Sequence, residues 1–195
     1  MKIVLFDFDR TLTNRDTLRP VAKYFSGEDR KYFSLVILYF ILVLSRFRII
    51  NDKTMKEFFL SVFIKGKELS WVNTAVRKYF GNNLESLINR PVFEALENYR
   101  KNSAKIYIVS ANFDFLLEPL IELWGITGVI CTQTEKLNGV FTGKITGETC
   151  KGKEKAARLR TMFAPQDFSG MTAYGDEGDR EMLDMVGEAK LIKNS

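Results

Sequence analysis

The chain of 195 residues contains no histidine. That absence excludes a Ser-His-Asp triad, a Cys-His nucleophile pair and any His-ligated zinc site. General acid–base chemistry must then fall to carboxylates, lysine, tyrosine or cysteine. Cysteine is nearly missing too, with only Cys131 and Cys150 present. Their spacing matches no metal motif, and two are too few for a disulfide scaffold, so both are expected as reduced thiols of a cytoplasmic protein. No secretory leader is expected, because Asp7 and Asp9 cut the apolar start Ile3-Val4-Leu5-Phe6. Repeats, low-complexity stretches and basic–aromatic nucleic-acid motifs are lacking, so no nucleic-acid partner is expected. The sequence carries no signal of oligomeric state.

Long apolar runs are also scarce. Residues 32–45 form an uncharged stretch of 14 residues, closed by Arg46 and Arg48 before Ile49-Ile50. A membrane-spanning helix needs roughly 20 apolar residues. A buried helix is the first expectation for this stretch. An interfacial helix on an anionic membrane is the second, because Arg30-Lys31 and Arg46/Arg48 flank it. The net charge of +5 favours anionic partners in general, among them phosphate esters and acidic membrane surfaces, without choosing between them. With 46% hydrophobic and 27% charged residues the chain reads as an ordinary globular protein, long enough for one core and an insertion.

What is present begins with residues 2–7, a short apolar run that ends in an acid. This pattern predicts a buried parallel strand with a functional residue at its carboxyl end. Similar runs recur at 104–109, 128–132 and 170–174, with a last short one at 189–192. Helical patterns lie at 91–102, 113–124, 153–163 and 179–187. The alternation predicts an α/β fold built on a doubly wound parallel sheet. Such sheets place their sites at the carboxyl ends of strands, which singles out Asp7, Ser110 and Asp176. Residues 15–90 interrupt the alternation with long helical stretches and no strand. They read as a helical insertion into a core formed by 1–14 and 91–195. Asn138-Gly139 between short apolar runs predicts a small β-hairpin over 137–145.

Four clusters carry candidate chemistry. Asp7-Phe8-Asp9-Arg10-Thr11 sets two carboxylates two residues apart at a strand end, which suits a metal site or an acid–base pair. Ser110 follows a strand and precedes Ala111-Asn112-Phe113-Asp114, where its hydroxyl can meet a ligand oxygen or cap a helix. Cys150-Lys151-Gly152-Lys153-Glu154-Lys155 places lysines near a helix start, against the dipole preference, which makes sense beside an anion. Tyr174-Gly175-Asp176-Glu177-Gly178-Asp179 straddles a glycine turn with acids, a donor set for a hard cation.

Together and in this order, these motifs resemble the haloacid dehalogenase superfamily, and the Cys150, Gly152 and Lys155 spacing resembles its phosphoserine-phosphatase-like subfamily. The resemblance implies a Rossmann-like core with an inserted helical cap and a Mg²⁺-dependent phosphatase that acts on a small phosphorylated metabolite. Asp7 is then the nucleophile and Asp9 the acid–base partner. Thr11, Ser110, Asn112 and Lys155 bind phosphate, with Lys153 a competitor for the lysine role. Asp7, Asp9, Asp176 and Asp179 hold the metal. The last acids are one residue closer than the usual pattern, which leaves Glu177 or Asp179 to complete the shell. Asp16 lies near the acid that contacts a substrate ammonium in phosphoserine phosphatases; its local alternative is a helix cap at Asp16 or Thr17. Residues 32–50 resemble the membrane-associating cap helix of phosphatidylglycerophosphate phosphatases, so a lipid phosphate is the alternative substrate. A non-catalytic phospho-acceptor module is the remote one.

Overall fold

The computed structural model describes residues 1–25, 51–165 and 167–193. One six-stranded sheet organises it: β1 (Ile3–Phe6), β2 (Lys105–Phe113), β3 (Gly128–Leu137), β4 (Val140–Thr146), β5 (Thr172–Gly175) and β6 (Glu188–Leu191). The spatial order is β4-β3-β2-β1-β5-β6. All neighbours pair in parallel except β4, which runs antiparallel to β3. The chain winds outward from β1 through β2 to β3, then crosses to β5 and β6 on the other side. β1 is therefore the point where the winding reverses, and open sheets of this kind place their ligand crevice at the carboxyl end of such a strand.

The described helices are α1 (Leu18–Phe25), α2 (Asp52–Phe63), α3 (Leu69–Leu87), α4 (Arg90–Lys101), α5 (Asp114–Trp124), α6 (Lys153–Phe163) and the single turn α7 (Arg180–Leu183). Alternate side chains of the sheet serve two cores. Val4, Phe6, Ile106 and Ile108 pack against α2 to α5 through Phe59, Phe80, Leu96, Leu116 and Leu120. Leu5, Tyr107 and Val109 pack against α6 and α7 through Leu159, Phe163, Met182 and Leu183. Because both faces are covered, the strands read as unbroken apolar runs rather than as alternating ones.

The described part of 15–90 is helical and carries no named strand. Its residues Phe59, Leu60, Val76 and Phe80 join the same core as Val4 and Phe6. Phe59 also stacks on Phe113 of β2 with ring centroids 5.6 Å apart. The uncharged run 32–45, with both expectations attached to it, lies outside the described residues. Among the described residues no helix is long and apolar enough to cross a membrane.

The hairpin forms where expected. Leu137 pairs with Val140, and Asn138 and Gly139 take φ values of 51° and 78°. Two positive φ values in a two-residue loop match the right-handed twist of the flanking strands. Two elements differ from the pattern. β2 runs four residues past the expected 109, because its end carries a two-residue bulge. Ser110 pairs with Cys131 and Phe113 with Thr132, so Ala111 and Asn112 are extra. The expected helix 179–187 shortens to one turn, since the chain must re-enter the sheet at Glu188 beside Thr172.

Asp114 locks the hairpin to β2. It is almost fully buried and accepts hydrogen bonds from Thr134 Oγ1 at 2.6 Å, Thr134 N at 3.2 Å and Lys136 Nζ at 2.6 Å. Removing one member of a buried charged network strands the others. Asp114→Ala should therefore cost about 3 kcal/mol in urea unfolding, against less than about 1 kcal/mol for an exposed pair such as Arg90–Glu85. A loss no larger than that of Glu85→Ala would contradict the role given to Asp114.

Candidate active site

Asp7 sits just past the end of β1, and its amide donates to the Tyr174 carbonyl at 2.8 Å. That bond carries the β1–β5 ladder one step beyond Phe6↔Tyr174 and sets Gly175-Asp176 beside Asp7-Phe8. Lys155, from the first turn of α6, reaches across with a side chain only 3% exposed. Its ammonium donates to Asp7 Oδ1 at 2.8 Å and to Asp179 Oδ1. Burial works to lower the Lys155 pKa, but the two carboxylates outweigh it and hold the ammonium above its ordinary value. Lys153 is exposed. Of the two candidate lysines, Lys155 is the one buried against Asp7.

The acidic turn after β5 resolves the short spacing. Asp179 is buried; besides Lys155 it accepts the Asp176 amide on Oδ2 at 3.1 Å. Gly175 makes room for it: a Cβ there would lie 2.8 Å from the Asp179 Cβ. Glu177 points outward into an exposed ion pair with Arg180. Asp176 caps the turn with Oδ1 on the Gly178 amide at 2.7 Å and stays half-exposed. Both Asp179 oxygens are engaged by protein donors. Through these contacts Asp179 orients Lys155 and the Asp176 backbone.

Asp9 lies in a tight turn over Phe8–Leu12, where Arg10 adopts a left-handed φ of 60°. A non-glycine residue in that region costs about 1 kcal/mol and marks a functional turn more often than chance. Thr17 donates to Asp9 Oδ1 through its amide at 2.9 Å and its hydroxyl at 2.7 Å. Asn112 donates to Asp9 Oδ2 at 3.2 Å and to Thr17 Oγ1 at 2.8 Å, and its own carbonyl accepts the Phe113 amide. Both of its side-chain amide protons are thus directed at protein atoms, and Asn112, expected on phosphate, holds Asp9 in this structure. Asp16 is exposed and caps α1 through the Leu18 amide at 2.9 Å, as its local alternative has it.

Ser110 and Thr11 keep hydroxyl capacity. Ser110 Oγ is buried and accepts the Asn112 amide at 3.1 Å, which leaves its proton for a ligand oxygen. Thr11 Oγ1 is buried and has no hydrogen-bond partner among the described residues. Burial drives the titration of both strand-end acids. It raises Asp7 to about 6 against the pull of Lys155, with the Asp179 charge adding to the rise. It raises Asp9 to about 7, helped by the Asp16 and Asp7 charges and opposed by the Thr17 donors. A carboxyl that holds its proton near neutrality is suited to general acid work.

Thr17 and Lys56 contribute to the site without a clear mark in the sequence. Thr17 reads there only as a helix cap. Lys56 is buried in α2, and its ammonium donates to the Ala111 carbonyl at 2.6 Å. Its one signal in the sequence is a lone lysine inside the apolar stripe Met55, Phe59, Leu60 and Phe63.

Several known proteins are similar to this chain. The model of the haloacid dehalogenase-like hydrolases matches residues 4–184. Protein CicA of Caulobacter vibrioides is 31% identical over 188 residues, covering 95% of this chain and 83% of that protein. Phosphoserine phosphatase SerB1 of Mycobacterium tuberculosis is 24% identical over 196 residues; the match covers 96% of this chain and 63% of that protein. Among solved structures, a protein of unknown function from Bordetella pertussis superposes with a TM-score of 0.86 at 16% identity, over 96% and 88% of the two chains. A substrate-bound phosphoserine phosphatase superposes with a TM-score of 0.65 at 18% identity, over 97% and 85%. At those identities the two structures show the fold alone.

A carboxyl whose folded pKa exceeds its unfolded value binds more protons when folded. Its stabilising contribution is present at low pH and is lost as pH rises through the folded value. With Asp7 raised from 3.8 to about 6 and Asp9 from 3.8 to about 7, protein kept in chelator should lose stability between about pH 4 and pH 7. Urea unfolding across that range should show the decline, and Asp9→Asn should flatten it. A wild-type profile that rises over the same interval would contradict the burial assigned to these acids.

Proposed function

Because this chain belongs to the haloacid dehalogenase-like hydrolase family, we propose that it is a magnesium-dependent phosphomonoesterase in which Asp7 attacks phosphorus. The observation that carries the reading is Lys155 bridging Asp7 and Asp179 from α6, 148 residues away from Asp7. That contact holds the Asp7 carboxylate ionised enough to attack and supplies a fixed cation for the phosphoryl oxygens. The substrate class is a small phosphorylated metabolite. The similarity to phosphoserine phosphatases in fold and to SerB1 in sequence supports it.

The donor set fits a hard cation. Asp7 and Asp176 offer carboxylates from the ends of the adjacent strands β1 and β5, and the backbone carbonyl of Asp9, two residues after Asp7, offers a further oxygen. No group of three or more His, Cys, Asp or Glu side chains is gathered among the described residues, so two carboxylates, one carbonyl and water make up the expected shell. Mg²⁺ bound there would keep the Asp7 carboxylate and the phosphate dianion from repelling each other.

The chain's own residues account for the rest. An Asp7 oxygen forms a bond to phosphorus as the bond to the ester oxygen breaks. The Asp9 carboxyl gives its proton to that oxygen, so the leaving group departs as an alcohol. Asp9, now a carboxylate held by Thr17 and Asn112, takes a proton from water. The water oxygen bonds to phosphorus, the acyl phosphate bond breaks, and Asp7 and inorganic phosphate are regenerated. Ser110, Thr11 and Lys155 bind the equatorial oxygens during both transfers. The scheme requires no histidine, in agreement with the composition.

With p-nitrophenyl phosphate and Mg²⁺ the wild type should turn over, and Asp7→Asn should lose roughly three orders of magnitude or more in kcat while its far-ultraviolet circular dichroism stays that of the folded wild type. Substantial turnover in that variant would refute the nucleophile assignment.

A further inference from the structure

Lys56 is a buried cation that the proposed chemistry does not use. It sits on α2, in the middle of that helix's apolar face, with its side chain 7% exposed. Its ammonium lies 2.9 Å from Asp52 Oδ2, one helical turn back, and donates to the Ala111 carbonyl at 2.6 Å. Burial lowers its pKa, against the pull of Asp52. Ala111 is one of the two extra residues in the β2 bulge, between Ser110 and Asn112. The same carbonyl accepts a second hydrogen bond, from Thr132 Oγ1 of β3 at 2.7 Å. Thr132 Oγ1 in turn accepts the Cys150 amide at 3.0 Å, just ahead of the helix that carries Lys155.

The Ala111 carbonyl does not require this lysine. Thr132 alone satisfies the Ala111 carbonyl, so removing Lys56 leaves no orphaned acceptor there. A buried ion pair is commonly no more stabilising than apolar residues of the same volume. The lysine's placement is accounted for by what the carbonyl controls. A bulge re-aims the side chains of its strand, and here it sets Asn112 onto Asp9 and the Asn112 amide onto Ser110 Oγ. Thr132 pulls the bulge from the neighbouring strand; Lys56 pins it from the inserted helix. With both donors in place the bulge has one geometry.

We propose that Lys56 is a positioning residue: clamped between Asp52 and the Ala111 carbonyl, it fixes the β2 bulge that aims Ser110 at phosphate and Asn112 at Asp9. The proposal rests on the phosphatase reading for its catalytic consequence, but not for its structural one. It makes the inserted helix α2 part of the catalytic support, in addition to any role it has as a wall of the crevice.

The test compares wild type, Lys56→Met and Lys56→Arg. Lys56→Met keeps the length and apolar stem, and Asp52 retains Lys151 as a partner at 3.3 Å. Hydrogen exchange should speed about tenfold or more at the amides of Asn112 and Phe113 in Lys56→Met, with β1 unchanged. On p-nitrophenyl phosphate, kcat should fall on the order of ten- to a hundredfold while KM shifts less than about threefold. Lys56→Arg should recover part of both. Unchanged exchange at 112 and 113 would overturn the proposal whether or not the protein is a phosphatase. Faster exchange with wild-type kcat would overturn its catalytic half. A wild type without phosphatase activity would sink the functional reading, and the exchange rates at 112 and 113 would then decide the clamp by themselves.

Discussion

The arrangement depends on one buried ammonium between two buried carboxylates. Asp7 and Asp179 come from the ends of neighbouring strands, and without Lys155 they would face each other in a low-dielectric crevice. The ion pairs draw α6 onto the carboxyl edge of the sheet and the 176–179 turn onto β1. Every other feature of the site is placed relative to that contact. Ser110 and Asn112 arrive on β2, the strand beside β1, while Asp176 arrives on the far side, after β5.

The sheet makes this contact possible by being buried on both faces. Its middle strands offer no solvent for a strand-end charge, so the acids must find partners within the protein or keep their protons. Asp7 finds Lys155; Asp9 finds Thr17 and Asn112 and still titrates high. That difference in surroundings is what the proposed mechanism uses to assign two carboxyl groups only two residues apart as nucleophile and proton carrier. The helices of the insertion share in this burial, because α2 and α3 contribute to the same core as β1. Through Lys56, α2 also reaches the bulge that supports Asp9.

The features legible in the sequence are those written in local pattern. The apolar run before Asp7, the Asn138-Gly139 turn and the strand–helix alternation each follow from periodicities of a few residues, and each appears in the structure. Lys155 is legible by spacing, although choosing it over Lys153 needs the burial that only the fold shows. What stays illegible depends on contacts between distant segments. Asn112 reads as a phosphate ligand because its position after Ser110 is visible, whereas its bonds to Asp9 and Thr17, 103 and 95 residues away, are not. Asp179 reads as a metal ligand because acids in a glycine turn suit a cation; its engagement by Lys155 is a tertiary fact. The β2 bulge is hidden because nothing in Ala111-Asn112 breaks a strand pattern, and the bulge exists through donors from α2 and β3.

The central claim is that the Asp7 carboxylate forms a covalent bond to phosphorus. Quenching the enzyme during turnover with borohydride, which reduces an acyl phosphate to the alcohol, and mapping the product by peptide mass spectrometry tests it most directly. The account predicts homoserine at position 7 and nowhere else, dependent on substrate and Mg²⁺. Reduction at another acid, or turnover that proceeds with Asp7 unmodified in every quench, would contradict it.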